Sequence, residues 1–164
     1  MKGQEFQAHR LVLKAQSPVF AAIFRNDMQE KVTGIINIED CDPSSFQDFL
    51  CFLYCGEVRK LSPKSAFNLF TVADKYNVSD LRSLCMEFIK MNLSVDTFCD
   101  TIELAFLHSE SDPELIELSK DFLEKNLQKI IESDKWKSFV VENPKLSNEV
   151  KALVPGRNVN CCIH

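Results

Sequence analysis

The residues here that could do catalysis or hold a metal are three histidines and seven cysteines, so their spacing decides whether they can act together. Cys51 and Cys55 stand one helical turn apart and could offer two thiolates to zinc. A closed zinc site needs four ligands, and no second pair stands at ligand spacing. Inside an apolar stretch the two read as core thiols. The His9 imidazole could be imagined as a general base, but it falls on an early helix turn with no catalytic set around it. His108, in Leu107-His108-Ser109-Glu110-Ser111-Asp112, reads as a solvated helix end or a local hydrogen bond. The glycines at 3, 34, 56 and 156 are too scattered for a phosphate-cradling loop. Cys161-Cys162-Ile163-His164 has the outline of a prenylation box with Cys161 as acceptor. A terminal histidine is unusual there, and Lys151 and Arg157 make a thin basic flank, so the segment reads as an unstructured tail. No catalytic residue, cofactor or metal is expected, and the chain does not read as an enzyme.

The element that organises the rest is the stretch 42–56, Asp-Pro-Ser-Ser-Phe-Gln-Asp-Phe-Leu-Cys-Phe-Leu-Tyr-Cys-Gly. Asp42 is a good N-cap, Pro43 suits the first helical position, and Gly56 can close the helix in a left-handed conformation. Phe46, Phe49, Leu50, Leu53 and Tyr54 make one apolar face, and Cys51, Phe52 and Cys55 fill most of the other. A helix apolar nearly all round belongs inside a domain.

Around it, residues 3–6 and 35–38 read as short strands. Residues 8–16 form a helix with a Leu11, Val12 and Ala15 stripe, and Ser17-Pro18 starts another with Val19, Phe20, Ile23 and Phe24 inward. Residues 25–34 are polar and read as a loop, with Met28 and Val32 as the large apolar exceptions. Ser62-Pro63 opens a helix carrying Ala66, Leu69, Phe70 and Ala73, which Asn77 breaks. Ser79 caps the next, with Leu81, Leu84, Cys85, Phe88 and Ile89. Ser17, Asp42, Ser62 and Asp112 each precede a proline, a repeated helix-start signal. From Leu93 only helical patterns remain, at 94–107, from 113 to 124 or beyond, and at 136–141, and a polar tail begins at Asn143.

At 164 residues the chain can bury a real core. Its net charge of −5 and pI near 5.2 argue against nucleic acid or an anionic membrane as partner. No apolar run reaches transmembrane length, and the first residues lack a secretory apolar region. An odd number of unpaired cysteines reads as reduced thiols, hence nucleus or cytoplasm.

Phe6-Gln7-Ala8-His9-Arg10-Leu11-Val12-Leu13 followed by Ser17-Pro18-Val19-Phe20 resembles the BTB/POZ domain signature. Ile38-Glu39-Asp40, Asp42-Pro43, Phe46, Phe52-Leu53-Tyr54-Cys55-Gly56 and Ala73-Asp74-Lys75-Tyr76-Asn77-Val78 continue the match in order. Asn92-Leu93-Ser94, Leu107-His108-Ser109 and Trp136-Lys137-Ser138 resemble a BACK-like helical region. The branch most similar is that of the speckle-type POZ proteins and their relatives with TRAF-like (MATH) and POZ domains.

The resemblance implies an α+β but mostly helical fold: a truncated POZ domain over 1–92, with a hairpin-like sheet remnant against a helical cluster. An all-α BACK-like region follows at 93–142, then a tail at 143–164. In that branch a helix, a first strand and a substrate-recruiting MATH domain precede the Phe6 segment, so the chain is expected to be the C-terminal part of an adaptor. The resemblance also implies docking on cullin-3, a ubiquitin-ligase scaffold, through Met28-Gln29-Glu30, with Met28 filling a groove and Glu30 pairing beside it. Solvation of Glu30 and local packing of Met28 is the competing reading. Tyr76 is either a second docking contact or a core residue. Association with itself or related POZ proteins is implied through a face that includes Val12. His9 is implied to be a structural polar residue whose usual acidic partner lies in the first strand.

Overall fold

The computed structural model describes residues 4–26, 33–38, 41–58, 60–109 and 113–154. They carry nine helices: α1 (Arg10–Gln16), α2 (Pro18–Asn26), α3 (Pro43–Cys55), α4 (Pro63–Lys75), α5 (Ser79–Met91), α6 (Phe98–Leu107), α7 (Pro113–Glu132), α8 (Asp134–Glu142) and α9 (Pro144–Ala152). The chain divides into two compact units, Met1–Phe88 and Ile89–His164.

The helix boundaries of the first unit follow local chemistry. The Asp42 carboxylate accepts the Ser45 backbone N–H at 3.0 Å, and Gly56, at φ +73°, closes α3 with its N–H on the Phe52 carbonyl at 2.8 Å. Ser62 and Ser65 cap each other reciprocally at the start of α4. That helix ends with Asn77 at φ +51°, its N–H on the Asp74 carbonyl and the Val78 N–H on the Ala73 carbonyl. These two bonds satisfy carbonyls that the last turn leaves free, with asparagine at the position that glycine usually takes.

The core of this unit is aromatic. Phe20 stacks on Tyr76 with centroids 4.5 Å apart, and Phe46 and Phe49 close round them. Burying each such ring is worth about 1.5–3 kcal/mol. One polar seam runs through the cluster. The buried Ser17 hydroxyl accepts the Phe20 N–H at 3.2 Å, capping α2, and donates to the Tyr76 carbonyl at 2.6 Å.

Among the described residues the expected sheet remnant is not formed. Neither 4–6 nor 35–38 is a strand there, and no backbone–backbone hydrogen bond joins 4–8 to 34–38. The period-2 alternation survives without the ladder: Phe6, Ala8, Ile36 and Ile38 are half-buried while Glu5, Gln7, Ile35 and Asn37 are exposed. Apolar alternation selects which side chains turn inward; a strand also needs a neighbour for its backbone.

The second unit is built on α6–α9. Trp136 lies fully buried between Phe139 and Phe98, and Phe122 stacks on Phe98. Ser133 caps α8 through the Trp136 N–H, and Asn126 interrupts α7 with non-helical backbone. The helix expected from 94 begins at Phe98, because Ser94 and Thr97 bond each other's backbone N–H groups first. The stretch expected as a tail carries α9, held by its buried Ser147 and Val150.

Candidate protein-interaction site

The face of interest is set by how α1 is clamped. Helix α1 has no side-chain N-cap; His9, in extended conformation, precedes it. The His9 backbone N–H donates to the Tyr54 hydroxyl at 2.7 Å, and that hydroxyl lies 2.9 Å from His9 Nδ1, 45 residues away in the chain. With the phenol proton directed to Nδ1, the imidazole carries its own on Nε2. The rings meet edge-on at 5.9 Å. His9 is therefore a structural polar residue, as the resemblance implies, and here its partner is a tyrosine of α3.

Fixed in this way, α1 buries Leu13 and turns the expected stripe outward. Leu11 is 80 % exposed, Ala15 is exposed and Val12 is half-buried. Leu11 and Ala15 are four residues apart and Val12 and Ala15 three, so the three make one continuous apolar patch. The stripe forms an outer face of the unit.

Beside α1 lies a second feature. Phe6 and Ala8 from one segment and Ile36 and Ile38 from the other line a cavity of ≈ 290 Å³, floored by Leu13 and Phe46. Gly34 opens the second segment at φ +71°, where a Cβ would come within 2.9 Å of Arg10 Nη2. A side chain there meets both strain and a neighbour.

Tyr76 is buried, 4 % exposed, and burial pushes its phenol pKa up. Cys51 is half-buried and Cys55 exposed, so they do not sit in the core as expected. Tyr54 shares that outer side, and α3 is thus apolar all round in sequence but buried on one side only. Among the described residues no three His, Cys, Asp or Glu side chains are grouped to hold a metal. Burial raises the Cys85 and Cys99 thiols to about 12, with Asp100 adding to the shift of Cys99, so neither is a thiolate at neutral pH. His108 ends α6, its backbone N–H on the Leu104 carbonyl at 3.0 Å. No helix of the described residues is long and apolar enough to cross a membrane. Met28, Gln29 and Glu30, like Cys161, Cys162 and His164, lie outside the described residues.

Residues 1–93 match the BTB/POZ domain family. The chain belongs to that family. Two mouse proteins are similar over most of this POZ chain. TD and POZ domain-containing protein 4 is 35 % identical over 148 residues, 90 % of this chain and 40 % of the relative. TD and POZ domain-containing protein 5 is 35 % identical over 145 residues, 88 % of this chain and 42 % of the relative. The chain thus spans about two fifths of the length of the curated relatives it matches. BTB/POZ domains act as protein-interaction modules.

Proposed function

We propose that this chain is an adaptor that pairs with itself or with related POZ proteins and docks on cullin-3 within a ubiquitin-ligase complex. The observation that carries the pairing is the exposed patch of Leu11, Val12 and Ala15 on α1. Aliphatic side chains left in water on one continuous face gain free energy when a partner covers them, about 25 cal/mol per Å². In this reading Val12 belongs to the pairing face, residues 1–92 are the POZ domain, and 93–142 are a BACK-like region. The protein works in the nucleus or cytoplasm.

The docking element is Met28-Gln29-Glu30. A thioether fills an apolar groove on many partners, and a carboxylate beside it selects the ones with a matching donor. Tyr76, the second docking candidate, is packed in the aromatic cluster. Titration of the purified chain into the cullin-3 N-terminal region tests the reading. Binding at micromolar concentration or tighter, weakened by Met28→Glu and by Glu30→Lys, is the expected result. No binding by correctly folded protein removes the ligase role.

The patch on α1 also supports a second reading, a POZ pairing module without ligase docking. A pull-down with full-length POZ relatives, with and without cullin-3, separates the two. Capture of relatives but not of cullin-3 favours the second.

A further inference from the structure

Cys51 and Cys55 take no part in docking through 28–30 or in pairing through α1, and the structure removes them from the core. Cys51 is half-buried, Cys55 is exposed, and Tyr54 beside them is exposed as well. The two cysteines lie one turn apart on α3, so they share a face with their Cβ atoms about 5–6 Å apart. A disulfide needs Cβ atoms about 3.5–4.5 Å apart. Closing one here would unwind a turn that the Gly56 N–H holds through the Phe52 carbonyl. The pair is thus a dithiol that the helix keeps side by side but apart.

The surroundings favour a cation. The last turn of α3 carries no basic side chain, so the negative end of the helix dipole is uncompensated there. The approach is open: a Cβ on Gly56, next to Cys55, would meet nothing within 4 Å. The ion's chemistry follows from the number of ligands. Thiolates select soft ions, chiefly copper(I), zinc and iron–sulfur clusters. Zinc and the clusters want four protein ligands, and among the described residues no third His, Cys, Asp or Glu joins the pair. Copper(I), a closed-shell ion, is satisfied by two.

We propose that Cys51 and Cys55 form a copper(I) site, a two-coordinate bis-thiolate on the outer side of α3. With metal–sulfur bonds of about 2.3 Å in a near-linear arrangement, the sulfurs stand about 4.6 Å apart. Thiols on successive turns of one helix face span that distance with the backbone in place. Each sulfur–copper bond replaces an S–H bond and both protons go to solvent, so the ion arrives and stays as copper(I) and binding strengthens as pH rises.

The probe is copper(I) itself, titrated without oxygen into the full reduced chain against bicinchoninate, a chelator whose copper(I) complex is coloured. Every sample carries Cys161→Ser and Cys162→Ser, because thiols adjacent in sequence can bind the same ion. One equivalent per chain is expected to be withheld from the chelator. Cys51→Ser and Cys55→Ser should each lose that equivalent, and Cys41→Ser should keep it. Gln47→Cys added to Cys51→Ser restores the number of thiols at an exposed position, but about 12 Å from Cys55, and should not restore binding. Four results overturn the proposal. They are no equivalent withheld by a chain with native circular dichroism, an equivalent that survives either single serine variant, full recovery in the Gln47→Cys variant, or one metal per two chains with a dimer that forms only when metal is added. The last would make the site a four-thiolate bridge between copies.

Discussion

The two units of this chain solve the same packing problem to different depths. In the second, Phe98, Leu115, Leu123, Ile130, Trp136 and Val150 are all essentially inaccessible, and its exposed large apolar residues, Met91, Leu107 and Val141, stand singly in the last turns of their helices. The first has an equally dry aromatic centre but leaves Leu11 and Ala15 exposed around a half-buried Val12, with a cavity beside α1. Isolated surface aliphatics are ordinary, whereas a contiguous apolar group is the kind of surface that a partner covers. The second unit covers its apolar side chains itself, whereas the first leaves a contiguous group uncovered.

That contrast can be broken by substitution. Trp136→Ala has the largest expected effect, about 3–5 kcal/mol in urea unfolding, because the whole indole is buried. The indole N–H has no hydrogen-bond partner among the described residues, so Trp136→Phe costs far less, about 1–2 kcal/mol. Equal losses in the two variants would show that the N–H, not the ring's volume, matters. Ser17→Ala removes the cap of α2 and orphans the Tyr76 carbonyl, an expected loss of about 2 kcal/mol. Gly56→Ala meets no neighbour within 4 Å, so its cost is the left-handed backbone alone, about 1–2 kcal/mol. Leu11→Asp sharpens the comparison from the other side. Thermal unfolding should move within about 0.5 kcal/mol while self-association weakens.

The smallest effect is one of pH. The Ser44 hydroxyl, then the Ser45 backbone N–H, hold the Asp42 carboxyl below its ordinary value of 3.8. A carboxyl whose folded pKa is depressed stabilises fully above its free-chain pKa and loses that contribution as pH falls through the folded value. Acid titration of the wild type should therefore show a loss of helicity below about pH 4 that Asp42→Asn reduces. An unchanged acid limb in Asp42→Asn would mean the cap is not coupled to folding.

What could be read from the residues alone was what is local. Asp42-Pro43 with Gly56, Ser62-Pro63 and the Asn77 stop are contained within a turn or two, and each is found as expected. The outward face of α1 was not legible. A seven-residue helix with Leu11, Val12, Leu13 and Ala15 has apolar groups in every direction, and the bond from His9 to Tyr54 decides which is buried. The strands failed for the opposite reason. Residues 35–38 carry the right alternation, but pairing depends on a partner elsewhere. Helix α9 was missed because a polar segment with few apolar residues carries almost no periodic signal. The thiols of α3 looked internal because composition cannot tell how many sides of a helix have neighbours.

Sedimentation equilibrium of the purified chain, beside Val12→Asp, tests the central claim most directly. The account predicts reversible self-association at micromolar concentration that Val12→Asp abolishes without lowering the melting temperature. A wild-type chain that stays monomeric throughout, or a dimer indifferent to Val12→Asp, would contradict it.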